Sequence, residues 1–186
     1  ESDRCYQQND PTSEEISDLL ASDGGVISIP EASNILKLHV FGSSIFVFAE
    51  NSVWQIMGVD GVFKATEYSI SQVSQIGINN PQSFVSVEGV PIWWSKHGIH
   101  TLAFDQVSGR AQEQNLSIGT IQSFFEAIDG NARQQCTAVY DETNKRIHWF
   151  YPNNGEAVSN KKNKVLTLDT TLQAFYPWTV SDSETN

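Results

Sequence analysis

From Leu38 to Gln55 the chain reads LHVFGSSIFVFAENSVWQ. Apolar positions precede Gly42, run together through Ile45-Phe46-Val47-Phe48, turn at Glu50-Asn51 and resume at Val53-Trp54. Val85 to Leu102, VSVEGVPIWWSKHGIHTL, follows the same plan. Superposing Gly42 on Gly89, an offset of 47 residues, sets Ile45-Phe46-Val47 on Ile92-Trp93-Trp94 and Glu50-Asn51 on His97-Gly98. A looser third copy runs from Cys136 through Ile147-His148-Trp149-Phe150 to Val165-Leu166-Thr167-Leu168. Each copy predicts strand, short turn, aromatic-rich strand, turn, strand. Phe46 and Phe48 lie on one face of their strand and Ile45 and Val47 on the other, so that strand is expected to be buried on both sides.

A repeat of about 40–50 residues built from such units is the signature of propeller blades. The expected fold is therefore all-β and mainly antiparallel: blade-like sheets of a β-propeller, partial or irregular because three units fall short of the usual four to eight blades, with two short helices. The first helix is expected after Pro11, where Thr12 and Glu15 make a capping-box pair, Ile16, Leu19 and Leu20 form a stripe, and Gly24-Gly25 stops it. A brief strand should follow at Val26 to Ile29. The second helix is expected between Thr120 as cap and Gly130 as stop, with Ile121, Phe124, Phe125 and Ile128 on one face. Gln106 to Ser117 reads as a polar connection and Asp60-Gly61 as a hairpin turn. The organisation is an N-terminal segment 1–34, a propeller-like domain 35–180 and a polar tail 181–186.

With 186 residues there is enough chain for one substantial core. No apolar run is long enough to span a bilayer as a helix. The chain begins at Glu1 with neither an initiator Met nor a signal pattern, and reads as a piece of a longer protein. The formal charge of −11, from 22 acidic and 11 basic residues, works against nucleic-acid affinity, which depends on cationic contacts to phosphate. Lys161-Lys162-Asn163-Lys164 is the single dense basic run; it reads as a solvated hairpin tip, with Lys161, Lys162 and Lys164 as phosphate contacts in the minority reading. Two cysteines, Cys5 and Cys136, are too few for a disulfide framework, and Cys136 reads as a small core residue.

Candidate chemistry is thin. His97 and His100 stand three apart on a strand-like stretch and so diverge, leaving no converging metal set. Ser95, His97 and Asp105 have triad composition but lack a nucleophile elbow. Glu50, Glu67, Glu88, Asp105, Glu126 and Asp141 are the carboxylates from which a glycosidase pair could be drawn; Glu50, Glu88 and Asp141 sit at or near predicted turns, where acidic residues serve turn chemistry and solvation, and nothing in the sequence pairs any two. His39 and His148 read as hydrogen-bonded strand histidines. No catalytic, cofactor or metal residue is assigned. Trp93 and Trp94 face opposite sides of one strand, so at least one belongs to the core; Trp93, Trp94 and Trp178 are the interface candidates.

The phrases IFVFAENSVW (Ile45 to Trp54), IWWSKHGIH (Ile92 to His100), Phe124-Phe125-Glu126 and the closing VLTLD with QAFYPWT (Gln173 to Thr179) resemble the propeller domain of short-tailed phage nozzle proteins, also called tail tubular protein B or packaged-DNA stabilisation proteins. The resemblance covers roughly residues 35–180. It implies a non-enzymatic virion protein of the phage tail, assembled as a homo-oligomeric ring, a hexamer, against the portal-adaptor and other tail proteins. Such a ring lines the exit channel, and DNA passes without specific binding. The chain is much shorter than a whole member of that family. Two other readings stay open: a carbohydrate-binding or glycoside-cleaving propeller of a phage tail, and a cellular protein-interaction propeller.

Overall fold

The computed structural model describes residues 27–58, 67–105, 110–155 and 161–180. Among the described residues twelve strands, all paired antiparallel, form three four-stranded sheets, each in simple chain order. Sheet I holds β1 (Ile35–Phe41), β2 (Ser44–Ala49), β3 (Val53–Gly58) and β4 (Tyr68–Ser74). Sheet II holds β5 (Val85–Val87), β6 (Val90–Trp94), β7 (Ile99–Phe104) and β8 (Ala111–Asn115). Sheet III holds β9 (Thr137–Asp141), β10 (Arg146–Tyr151), β11 (Lys164–Asp169) and β12 (Ala174–Thr179). The all-β expectation holds, and the described residues form these three sheets without closing a ring.

The repeat is real, but its register differs from the expected one. Phe41 pairs with Ser44 across the first turn of sheet I, and Val87 with Val90 across that of sheet II. Phe48 pairs with Val53 at the next turn, and Trp94 with Ile99. Both turns give an offset of 46 residues, not 47. Glu50-Asn51 therefore corresponds to Lys96-His97, and Phe46 and Phe48 to Ile92 and Trp94. One residue matters because it exchanges the two faces of a strand. In sheet III, Phe150 pairs with Val165, so His148 and Phe150 hold those same positions.

This register sorts each sheet into two faces. The face toward the following sheet, here the leading face, carries Phe46, Phe48 and Val53 in sheet I; they pack with Trp93 and Leu102 from the opposite, trailing face of sheet II. The leading face of sheet II carries Val85, Ile92, Trp94 and Ile99, packed with Ile147, Trp149, Tyr151, Leu166 and Leu168 from the trailing face of sheet III. Two joints result. In the first, the Phe48 ring stands edge-on to Trp93 at 5.0 Å and to Phe84 at 5.3 Å. In the second, Trp94 meets Phe125 at 5.0 Å, Tyr151 at 5.7 Å and Trp149 at 5.9 Å.

The connection between sheets I and II is pinned by the Ile78 amide donating to the Ala49 carbonyl and the Asn79 amide to the Trp94 carbonyl. Gly77 is required there, since a Cβ would lie 2.1 Å from the Ala49 carbonyl oxygen. Between sheets II and III run two single-turn helices, α1 (Gln122–Glu126) and α2 (Gly130–Gln134). The expected helix thus breaks in two. Its apolar side does face the core through Phe125 and Ile128. Gly130, however, opens the second helix, with the Asp129 carboxylate accepting from the Asn131 amide as its cap. Thr120 caps neither helix: the N-cap position of α1 is Ile121, without a side-chain bond.

Residues 27–29 form no strand; Ile27, Ile29 and Ala32 instead pack over Val47, Trp54 and Ile56 on the trailing face of sheet I. The expected polar connection Gln106 to Ser117 contains β8. The helix expected at 12–23, the Asp60-Gly61 turn and Cys5 lie outside the described residues.

Candidate interaction face

Two sheet faces have no neighbouring sheet among the described residues. On the trailing face of sheet I, Leu38 and Val40 are 60% and 65% exposed. On the leading face of sheet III, Val139, Tyr176 and Trp178 are 52%, 45% and 46% exposed. Arg146, His148, Thr167, Tyr176 and Trp178 line an open depression of about 300 Å³ on that face.

The face is held stiffly. Thr167 stands at its centre, directly opposite His148 on β10 and Tyr176 on β12. Its Oγ1 accepts from the Trp178 indole Nε1 at 2.8 Å and shares a 2.8 Å hydrogen bond with His148 Nδ1. The His148 ring stands edge-on to Trp178, with centroids 6.4 Å apart. The indole is thereby tied at its polar end while its plane stays half exposed, the arrangement that suits an aromatic side chain to an interface. At one rim, Arg146 Nε donates to Asp169 Oδ2 at 3.3 Å. The same Asp169 accepts from the amides of Thr171 and Leu172, closing the β11–β12 turn.

The carboxylates near this face are structural. The Leu172 amide, with help from Arg146 and the Thr171 amide, holds the Asp169 carboxyl below its ordinary value. The Asn144 side chain and amide do the same for Asp141. A glycosidase acid needs the opposite shift.

The remaining sequence candidates scatter. Trp93 and Trp94 are fully buried, one in each joint, so neither indole offers surface to another molecule; only Trp178 of the three does. Their opposite orientation is as expected. Lys164 opens β11 and donates to Thr179 Oγ1 at 3.0 Å, and Lys162 donates to Thr137 Oγ1. Lys161 is exposed beside them. Ser95 Oγ accepts from the His97 amide and donates to the Gly98 carbonyl, so it serves its turn rather than a triad. His97 is exposed in that turn, whereas His100 is buried, stacked on Trp93 and bonded through Nδ1 to Glu113. Burial lowers the His100 pKa despite the Glu113 partner. His39 Nε2 meets the Gly89 carbonyl at 2.8 Å, joining sheets I and II. Glu88 pairs with Lys145 at 3.1 Å across sheets II and III. Cys136 is buried in the second joint, and burial pushes its thiol well up.

A second depression, about 220 Å³, lies where the equivalent turns Glu50-Asn51 and Lys96-His97 meet, lined also by Gln75, Ile76 and Gly77. Among the described residues no three His, Cys, Asp or Glu side chains group as metal ligands, and no helix is long and apolar enough to cross a membrane. Sequence reading missed Thr167 and Tyr176 as parts of the face. Their signal was period two in Tyr176-Pro177-Trp178 together with the histidine of the paired strand.

No protein family matches this chain, and no curated protein matches it.

Proposed function

We propose that the chain is a structural, non-catalytic stack of propeller blades that works by face-to-face docking. Following the resemblance stated above, it would serve as a subunit of the tail nozzle of a short-tailed phage. The observation that carries the docking reading is the leading face of sheet III. Thr167 is bonded to His148 and Trp178, and Arg146 to Asp169, while Val139, Tyr176 and Trp178 stand exposed. The net charge of −11 fits a channel wall that repels a DNA backbone and lets it slide. In this role the protein sits in the virion, its partners are further copies of itself and portal-adaptor and tail proteins, and DNA passes without specific contact.

Two measurements test this. Electron microscopy of the parent protein on virions should show a ring at the tail. Binding of the chain to duplex DNA at low salt should be undetectable; tight binding would overturn the non-stick role.

One observation favours a second reading. Tyr176 and Trp178 form an aromatic shelf of the kind on which sugar rings stack. A glycan array on the intact chain, repeated with Trp178→Ala, tests it. Binding that vanishes in the variant would move the assignment to a carbohydrate-binding blade. Asp141 and Asp169, both held acidic, speak against adding hydrolysis to it.

A further inference from the structure

We propose that the leading face of sheet III receives the trailing face of sheet I of a second copy, head to tail, so that two copies close one six-bladed ring. The proposal rests on the docking reading above and names its partner.

Structural equivalence supplies the argument. Val139 pairs with His148, as Val85 pairs with Ile92 and His39 with Phe46. Those two counterparts are covered by the following sheet: Val85 lies in the core of the second joint, and the His39 ring packs on Phe84 at 5.1 Å. Trp178 corresponds to Leu116, which also packs into the second joint. On the other side, Leu38 corresponds through the 46-residue offset to Phe84, and Val40 through its pairing with Ile45 to Tyr140. Phe84 and Tyr140 pack into the first and second joints. Thus each chain carries both halves of a joint that it already makes twice internally.

The occupant is a sheet and not a stray segment. At both internal joints the counterparts of these exposed residues are covered by a four-stranded sheet. Among the described residues, Ile27, Ile29 and Ala32 cover the β2–β3 part of the sheet I face and leave Leu38 and Val40 of β1 exposed. Pro177 lies on the edge strand β12, where a missing N–H discourages strand addition and leaves the face as the docking surface. Three plus three blades falls within the four-to-eight range of closed propellers. Head-to-tail contacts that close are the condition for a finite ring.

The test is sedimentation equilibrium on the intact chain, Leu38→Asp and Val139→Asp. Circular dichroism and protection of the Cys136 thiol serve as checks of folding. Wild type should run at twice its 20.7 kDa mass. Each variant alone should run as a monomer, and an equimolar mixture should recover pairs through the one undamaged joint. A monomeric wild type at hundreds of micromolar overturns the proposal, as does a dimer or hexamer that both variants leave intact. Failure of the mixture to pair overturns the head-to-tail geometry. If either variant misfolds, Val40→Lys and Tyr176→Glu replace them with the same expectations. These results are separable from the parent reading: tight DNA binding would break the nozzle role even with a dimer present, whereas a monomer leaves docking to a different blade open.

Discussion

The two internal joints follow one plan in different materials. Sheets I and II meet through phenylalanines around a single indole, with the His39 ring and the buried His100 beside them. Sheets II and III meet through two indoles and a tyrosine, and α1, the link after it and α2 add Phe125, Ile128 and Ala132 to the same core. The Trp149 indole also donates across that joint to the Ser83 carbonyl at 3.1 Å. Both joints carry a cross-sheet hydrogen bond, but the second buries more apolar side chains than the first, and burial favours the neutral forms of its Tyr151 and Cys136. Burial raises Tyr151 to about 12 and the Cys136 thiol upward. The first joint carries a base that acid can charge. Sheet I should accordingly be the detachable part of the molecule, and sheets II and III its lasting core.

The largest effect expected is that of Trp149→Ala. It empties the centre of the second joint and leaves the Ser83 carbonyl unpaired, for a loss of about 3–5 kcal/mol. Calorimetry should show one transition shifted down by roughly 6–20 °C, with Cys136 exposed to thiol reagent in a Cys5→Ser background. A Cys136 that stays protected would break the claim that this joint is the core.

Phe48→Ala should cost nearly as much, about 3 kcal/mol, but locally. Hydrogen exchange of β2 and β3 amides should accelerate while Cys136 keeps its protection. If Cys136 opens with the same free energy as the β2 amides, the two joints are one cooperative unit and their contrast fails.

Gly77→Ala is the next step down. The new methyl group meets the Ala49 carbonyl oxygen at 2.1 Å before relaxation, so the pin between sheets I and II must shift. A loss of about 1–3 kcal/mol is expected, with faster exchange confined to sheet I. Gly89 has nothing within 4 Å of such a methyl, but its φ of +90° strains any side chain. Gly130 has the same open space without positive φ and is the better control, with a change near zero or slightly stabilising.

Those residues also show how much was legible in the sequence. Strands buried on both faces announce themselves: Ile45 to Phe48, Ile92 to Trp94 and Ile147 to Phe150 were all found as β2, β6 and β10. The repeat itself was legible, but its register was not. Gly42 and Gly89 look like landmarks, yet a two-residue turn can place its glycine first or second. Here Gly42 comes first, whereas Gly89 follows Glu88, which takes positive φ in its place. That difference produced an offset one residue too long and reversed the facing of Phe46 and Trp93. The strand β8 was missed because Ala111 to Asn115, AQEQN, buries only Ala111, so no apolar alternation marks it. The break between α1 and α2 was hidden for a related reason. Ile121 to Ile128 keeps helical spacing although the chain turns after Glu126. The exposed face of sheet III was half visible: Trp178 stood out by type, whereas Thr167 matters by what it bonds.

The smallest expected effect is also the one that separates the joints by chemistry. His100 lies on the trailing face of sheet II, stacked on Trp93 at 5.9 Å, with Glu113 on Nδ1 and with His97 as the nearby like charge. Its Nε2 is buried without a hydrogen-bond partner among the described residues. Desolvation dominates, and the folded-state pKa falls below the ordinary 6.5. Above pH 6.5 the ring is neutral in both folded and unfolded chains, and stability is independent of it. As pH falls through 6.5, the unfolded chain takes up the proton first, so stability declines until the lower folded pKa is passed. The decline should appear in the exchange of sheet I amides between pH 7 and 5, while Cys136 stays protected. His100→Gln removes the titration and should flatten that slope, at the cost of a small uniform loss. Equal slopes in wild type and variant would mean that acid acts elsewhere and that the first joint has no titratable weakness of its own.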